Sequence, residues 1–217
     1  MAKRVLITGG SSQVGLELAD CIWPNDIELV IPSRAELDLT SPQSISDCIA
    51  SQNVDCVINC AAWTAVDEAE GQLGNCFLTN AQGPAWLAEA TTQARAALIH
   101  ISTDYVFDGM LDRPYQEGDA PRPVNVYGAS KLAGEYAVRM GNPRSVVIRT
   151  AWILSRHRAN FLKTMLRLGE ERDELCVISD QFGCPTSAKD VAEAVKTVAL
   201  RHLEDPAAPV GIYHFVN

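Results

Sequence analysis

The sequence predicts an α/β protein with a doubly wound parallel sheet, on three observations. Short runs rich in Val, Ile and Leu alternate with segments of helical periodicity along the 217 residues. Those strand runs are apolar throughout rather than alternating with polar residues, which marks strands buried on both faces. Finally, the residues with chemical potential follow the strand runs, at the carboxyl ends where sheets of this kind bind ligands.

Taken in order, Arg4 to Thr8 is an apolar run bounded by glycines and reads as a buried strand. Val14 to Ile22 has helical spacing and stops before Pro24. Ile27 to Ile31 is a second strand, closed by Pro32. Ser41-Pro42 reads as an N-cap with proline at the first helical position, opening a helix to about Gln52. Asp55 to Asn59 is a third strand, and Leu73 to Ala94 a long helix with an expected break at Gly83-Pro84. Ala97 to Ile101 is a fourth strand. Asp108 to Pro123, rich in Gly, Pro and charge, is a long loop of the kind that carries function, expected to cross the substrate mouth. Tyr127 to Met140 is a helix, Val146 to Arg149 a fifth strand, Asn160 to Glu171 a helix and Leu175 to Ile178 a strand. Ser187 to Asp190 has the form of a capping box opening a helix to about Leu203, and Ile212 to Phe215 is the last strand.

Composition narrows the function. A formal net charge of −9 argues against nucleic-acid and anionic membrane partners. Seven cysteines, none in C-x-x-C spacing, read as reduced thiols of a cytoplasmic protein rather than a metal or disulfide framework. No secretory h-region precedes the first strand, and no apolar run approaches a bilayer-spanning length. Asp67, Glu68 and Glu70 form an acidic cluster that could hold Mg²⁺, although a solvated face explains it better, and no metal ligands are assigned.

Between the first strand and first helix lies Gly9-Gly10-Ser11-Ser12-Gln13-Val14-Gly15. Glycines here permit a tight turn and close approach to a pyrophosphate seated on the helix N-terminus, as in Rossmann-like sheets. Ser12 replaces the middle glycine of a G-x-x-G-x-x-G pattern. Where NAD-preferring folds place an acid after the second strand, this chain has Arg34, which suits the 2′-phosphate of NADPH and makes NADPH slightly favoured over NADH. Asp38 and Leu39 come next and could flank the adenine.

Tyr127 and Lys131 are four residues apart, on one helix face. An ammonium beside a phenol lowers its pKa, so Tyr127 is expected to act as a general acid. Thr103, at the end of the fourth strand, can hydrogen-bond the same carbonyl oxygen. Asn80 is expected to position Lys131 through water or backbone.

These residues resemble the extended branch of the short-chain dehydrogenase/reductase superfamily, and within it the dTDP-4-dehydrorhamnose reductase family. The likeness rests on Val5-Leu6-Ile7-Thr8-Gly9, Gln13-Val14-Gly15, Leu37 to Thr40, Asn59 to Glu70, His100 to Gly109, Asn125 to Glu135, Arg149 to Trp152, Asn160 to Leu166 and Asp180 to Thr186. It implies Tyr127 as proton donor, Lys131 on the nicotinamide ribose and Thr103 tuning the site. Gly9, Ser12 to Gly15, Arg34, Asp38, Leu39, Ala61, Ala62, Thr64 and Asn80 would then hold the cofactor, and Asp104, Tyr105 and Trp152 would meet a dTDP-linked sugar nucleotide. Residues 1–150 would form an NAD(P)-binding Rossmann domain and residues 151–217 a truncated substrate lobe interleaved with the sheet; a homodimer is left open. The chain departs from the family at Ser12, at Leu154-Ser155 where Tyr-Gly is usual, and after Asn217, where members continue with a helical segment. The implied activity is reduction of dTDP-4-dehydro-6-deoxy-L-mannose by NAD(P)H. A dehydratase or epimerase is the second reading, although Tyr105 stands where elimination needs a glutamate after Asp104. A non-catalytic relative of the methionine adenosyltransferase regulatory-subunit type is the third.

Overall fold

The computed structural model describes residues 2–217. β1 (Lys3–Thr8) is buried over its last four residues and leads into α1 (Gln13–Asp20), whose N-cap Ser12 accepts from the Gly15 N–H. β2 (Ile27–Val30) follows, then α2 (Pro42–Gln52), where the Ser41 hydroxyl accepts from the Ser44 N–H and Pro42 opens the helix as expected. β3 (Cys56–Asn59) precedes two short helices, α3 (Val66–Gly71) and α4 (Leu73–Phe77). A π-helical turn, Leu78–Gln82, joins α4 to α5 (Gly83–Gln93).

β4 (Ala97–Thr103) runs into a single 3-10 turn, Asp104–Val106. α6 (Val126–Gly141) and β5 (Ser145–Thr150) complete the central part. β6 (Ile153–Leu154), α7 (Phe161–Glu171), β7 (Thr186–Ser187), α8 (Ala188–Glu204) and β8 (Gly211–His214) finish the chain.

Six strands pair in parallel in the order β2-β1-β3-β4-β5-β8, and β6 pairs with β7 in a separate two-stranded piece. The strand order reverses between β1 and β3, so the carboxyl ends of those strands form the crevice where doubly wound sheets take ligands. On one face, α1 and α8 cover Val5, Ile7, Ile58, Ile99 and Val146. On the other, α2, α5 and α6 cover Leu6, Val57, Leu98 and Val147. Burial on both faces is why these runs carry no polar alternation. Residues 188–214 pack α8 against α1 and add β8 beside β5, so the end of the chain belongs to the sheet while residues 153–187 lie at its carboxyl side.

Several expectations need correcting. The long helix runs without a break from Leu73 to Gln93; instead of breaking at Gly83-Pro84 it widens to π-helical winding at Leu78–Gln82, just before the proline whose missing N–H leaves the preceding turn without a donor. Leu175 to Ile178 form no strand; the run is largely exposed and pairs with no neighbour, and apolar residues without an edge to join do not make a strand. Ser187 caps α8 as expected, its hydroxyl accepting from the Asp190 N–H, but the other half of the box differs: Asn217 takes the Ser187 N–H and donates to the Asp190 carboxylate. The loop after Asp108 does not cross the mouth. Tyr115 stacks on Phe107, Arg113 pairs with Asp119, and Glu117 accepts from the His214 N–H, which folds the loop onto β8.

Candidate functional site

A cleft of about 1700 Å³ lies along the carboxyl ends of the sheet. It exceeds the roughly 300–1,000 Å³ of sites that hold one drug-sized ligand. The glycine loop walls one part of it. Gly9 has φ +64°, and a Cβ there would stand 2.6 Å from the Ala61 backbone nitrogen, so the β1 turn approaches the end of β3 as only glycine allows. Ser12 Oγ caps the Gly15 N–H and the Leu16 N–H bonds the Ser12 carbonyl. The Gln13 and Val14 N–H groups therefore lie at the cleft with no protein partner among the described residues, on the positive end of α1. This donor set fits a pyrophosphate, and Ser12 supplies a cap where a glycine would not.

The structure gathers most of the residues singled out above around this cleft. Gly9, Ser12, Gln13, Val14, Arg34, Asp38, Leu39, Ala61, Ala62 and Thr64 line it on the glycine-loop side, and Thr103, Asp104, Tyr105, Tyr127, Lys131 and Trp152 line it elsewhere. Two residues do not line it. Gly15 sits behind the loop, where a Cβ would collide with the Gly9 carbonyl. Asn80 is buried in the π-helical turn; its Oδ1 accepts from the Trp63 N–H at 2.8 Å, and its Nδ2 donates to the Trp63 carbonyl and to Ser130 Oγ at 3.0 Å each. It thus fastens the Ala62–Thr64 wall to α6 at Ser130, the residue before Lys131, and has no hydrogen bond to Lys131 among the described residues. Asp38 is turned to its own loop, accepting from the Thr40 N–H and hydroxyl, and those bonds hold its carboxyl below the usual range.

α6 brings Tyr127 and Lys131 to one wall. Asn125 caps the helix by accepting from the Gly128 N–H at 2.7 Å, and a Cβ on Gly128 would lie 2.1 Å from the Tyr105 carbonyl oxygen. The bare glycine lets α6 rest on the 3-10 turn, and the Tyr105 and Tyr127 rings meet edge to face at 5.5 Å. Thr103 Oγ1 donates to Asp104 Oδ1 at 3.0 Å and accepts from the Tyr105 N–H. Its hydroxyl must therefore rotate away from Asp104 to meet a substrate carbonyl. Burial pushes the Asp104 carboxyl above its ordinary range.

The expectation for Tyr127 is corrected in one respect. Burial pushes its phenol well above 10, opposed only by the Thr103 side chain and reinforced by Asp104. No lowering by Lys131 opposes this; its Nζ donates to the Ile101 carbonyl at 2.7 Å and lies 3.5 Å from His100 Nε2. Burial also lowers Lys131 to about 8, with Glu135 pulling the other way. Behind it, His100 Nδ1 meets Asn59 Nδ2 at 2.9 Å, and Asn59 Oδ1 accepts from Thr8 Oγ1 at 2.6 Å.

Trp152 is 39% exposed and has φ +40°, a backbone region rare for a tryptophan and one where strain gathers at ligand sites. It is no core residue. Sequence reasoning missed Glu36, which lines the cleft beside Arg34 and accepts from the Ser33 N–H. It also missed the Arg158–Phe161 rim, which precedes and opens α7; Asn160 anchors that rim to the glycine loop through Gln13 Oε1 at 3.1 Å. The available signal for Asn160 was its residue type, a favoured N-cap, just before the helical run that begins at Phe161. The acidic run at Asp67 to Glu70 has a structural duty in part, since Glu70 accepts from the Val126 N–H.

Comparison with known proteins follows the same lines. The model of the RmlD substrate binding domain matches residues 3–217. A dTDP-4-dehydrorhamnose reductase of Sinorhizobium fredii is 43% identical over 212 residues, 97% of this chain and 71% of its own. One from Salmonella typhimurium is 40% identical over 216 residues, 98% of this chain and 72% of its own. Among solved structures, the dTDP-4-dehydrorhamnose reductase of Bacillus anthracis in complex with NADP superposes with a TM-score of 0.93 at 35% identity, covering 100% of this chain and 75% of that one. The chain thus spans between two thirds and three quarters of the length of these relatives and structures.

Proposed function

Because the chain belongs to the RmlD substrate binding domain family, that of the dTDP-4-dehydrorhamnose reductases, we propose that it reduces the C4 ketone of dTDP-4-dehydro-6-deoxy-L-mannose with NADPH or NADH. The observation that carries the reading is the convergence of Thr103, Tyr127 and Lys131 on a cleft that begins at the α1 N-terminus, where the Gln13 and Val14 N–H groups have no partner among the described residues. The nicotinamide cofactor, when bound, supplies the hydride.

This chain's residues do the rest. The Gln13 and Val14 amides would take the pyrophosphate, with Arg34 over a 2′-phosphate and Ala61 to Thr64 against the dinucleotide. Lys131 would hold the ribose. Thr103 would turn its hydroxyl from Asp104 to the ketone oxygen, and Tyr127 would give that oxygen its proton. A phenol raised by burial keeps its proton at neutral pH and releases it only to an oxygen that is gaining charge. Asp104 and Trp152 would meet the sugar nucleotide, residues 1–150 serving mainly the cofactor and residues 151–187 the sugar, while residues 188–214 complete the sheet. Tyr105 in place of a second carboxylate argues against elimination.

The test is turnover. The protein should oxidise NADPH or NADH only when the keto sugar nucleotide is supplied. Tyr127→Phe should lower kcat by about 10²-fold or more while leaving cofactor binding, read by fluorescence titration, within a few-fold. Cofactor binding by the unaltered chain with no turnover would overturn this reading in favour of a regulatory relative.

A further inference from the structure

We infer that His100 is a positioning residue for Lys131, locked by Thr8 and Asn59 as the neutral imidazole whose only N–H, on Nε2, faces Lys131 Nζ. The argument starts from the Ala61 backbone. An amide N–H can only donate, so the Asn59 atom it meets at 3.3 Å is the carbonyl oxygen. Thr8 Oγ1 donates to that same oxygen at 2.6 Å. The Asn59 NH₂ therefore points the other way, at His100 Nδ1, 2.9 Å off, and Nδ1 must accept. A neutral imidazole with a bare Nδ1 carries its hydrogen on Nε2. The doubly protonated ring would set N–H against N–H at Asn59, and the complete burial of His100 also disfavours it.

Nε2–H lies 3.5 Å from Lys131 Nζ, while Nζ donates to the Ile101 carbonyl at 2.7 Å. An ammonium has three hydrogens and no lone pair, so His100 opposes it; an amine turns its lone pair to Nε2–H and keeps its bond to Ile101. The other ionisable groups around Lys131 do not reverse this. Glu135, one turn along α6, pulls toward the ammonium but is held by Arg149 of β5 at 2.6 Å. Burial holds Cys60, after β3, as a thiol, Cys76 comes from α4, Tyr127 shares the helix face, and Asp104 and Tyr105 come from the 3-10 turn against α6. The buried chain from β1 through β3 and β4 thus sets how Lys131 presents itself to the cleft. This rests on the proposed function only for its kinetic consequence.

Long-range ¹⁵N–¹H NMR on ¹⁵N-histidine protein, with no cofactor added, reads the tautomer directly. The expected result is a bare Nδ1 and a protonated Nε2 on His100, unchanged from about pH 6 to 9. A protonated Nδ1, or an imidazolium in that range, overturns the inference. Asn59→Asp places a carboxylate oxygen where the amide nitrogen stood, so Nδ1 must then donate; in the neutral ring that leaves Nε2 bare and accepting, and the spectrum separates this from an imidazolium, which would overturn the expected exchange. The same spectrum should show that tautomer exchange, and the Lys131 ¹³Cε titration, assigned by its loss in Lys131→Met, should move up by about one pH unit. A Lys131 shift without the tautomer exchange overturns the coupling. Should Asn59→Asp fail to fold, the tautomer of the unaltered chain decides alone. Neither readout uses the sugar nucleotide, so absence of turnover would sink the proposed activity and leave this result standing.

Discussion

Replacing Glu135 by alanine should be among the most destabilising single changes in this protein. Glu135 and Arg149 are 1% and 3% exposed, and the guanidinium reaches the carboxylate twice, through Nε at 2.8 Å and a terminal nitrogen at 2.6 Å. Ser102 donates a further bond to Glu135 at 2.6 Å, and Arg149 lies 4.9 Å from the Phe107 ring centroid. Losing the carboxylate leaves a buried guanidinium without its charge partner, which typically costs 3–5 kcal/mol, and orphans the Ser102 hydroxyl. For a chain of this size each kcal/mol lowers Tm by about 2–4 °C, so Glu135→Ala should melt about 10 °C lower by circular dichroism or calorimetry at pH 7. The double variant Glu135→Met/Arg149→Met removes both charges and fills the space, so it should recover most of the loss. A fall of under about 3 °C in the single variant would refute the reasoning, since it would mean that water or another group compensates Arg149. A double variant that melts lower than Glu135→Ala would refute it equally.

Three other outcomes follow from the same geometry. Gly9→Ala must hold φ near +64° and drive a Cβ toward the Ala61 nitrogen, so NADPH affinity by fluorescence titration should fall by about tenfold or more; an unchanged Kd would sink the role given to the loop. Arg34→Ala should weaken NADPH by about tenfold and NADH little, because only the former presents a 2′-phosphate to a charge-assisted bond; equal losses for both would show that Arg34 reads no phosphate. The pH dependence of Lys131 can be isolated by comparing the unaltered chain with Lys131→Met in urea melts. Its folded pKa of about 8 lies below the unfolded 10.5, so between those values the unfolded chain binds more protons and the buried amine penalises folding less as pH rises. Any stability advantage of Lys131→Met should therefore shrink by ~3 kcal/mol from pH 7 to 10.5, and a constant difference would contradict the depressed value.

Much of the fold was legible in order. The apolar runs at Arg4 to Thr8, Asp55 to Asn59 and Ala97 to Ile101 read as strands and Ser41-Pro42 as a helix start, and β1, β3, β4 and α2 form there, because both signals are local. The failures share a cause as well. Leu175 to Ile178 has strand composition, but pairing requires a partner edge that composition does not reveal. The π-helical stretch at Leu78–Gln82 leaves no residue signature as plain as Gly83-Pro84; it is where the helix turns Asn80 inward to bond Trp63 and Ser130. The loop after Asp108 was readable as a loop, but its seat on β8 depends on Tyr115, Glu117 and His214 meeting across a long stretch of chain.

The same division runs through the site. By itself the sequence determined which side chains would be present and on which strand end or helix face: the glycines at the first turn, Thr103 at the end of β4, and Tyr127 and Lys131 one helical turn apart. Those are matters of spacing, which 3.6-residue and two-residue periods convert into direction. Only the tertiary structure decided how those side chains are tuned. Burial, not the ammonium beside it, governs the Tyr127 phenol; Lys131 looks to Ile101 and His100; and Asn80 braces the wall instead of joining it. Desolvation and the hydrogen-bond partner of a buried group depend on what the rest of the chain stacks around it, so residues distant in sequence fix them and local pattern is silent.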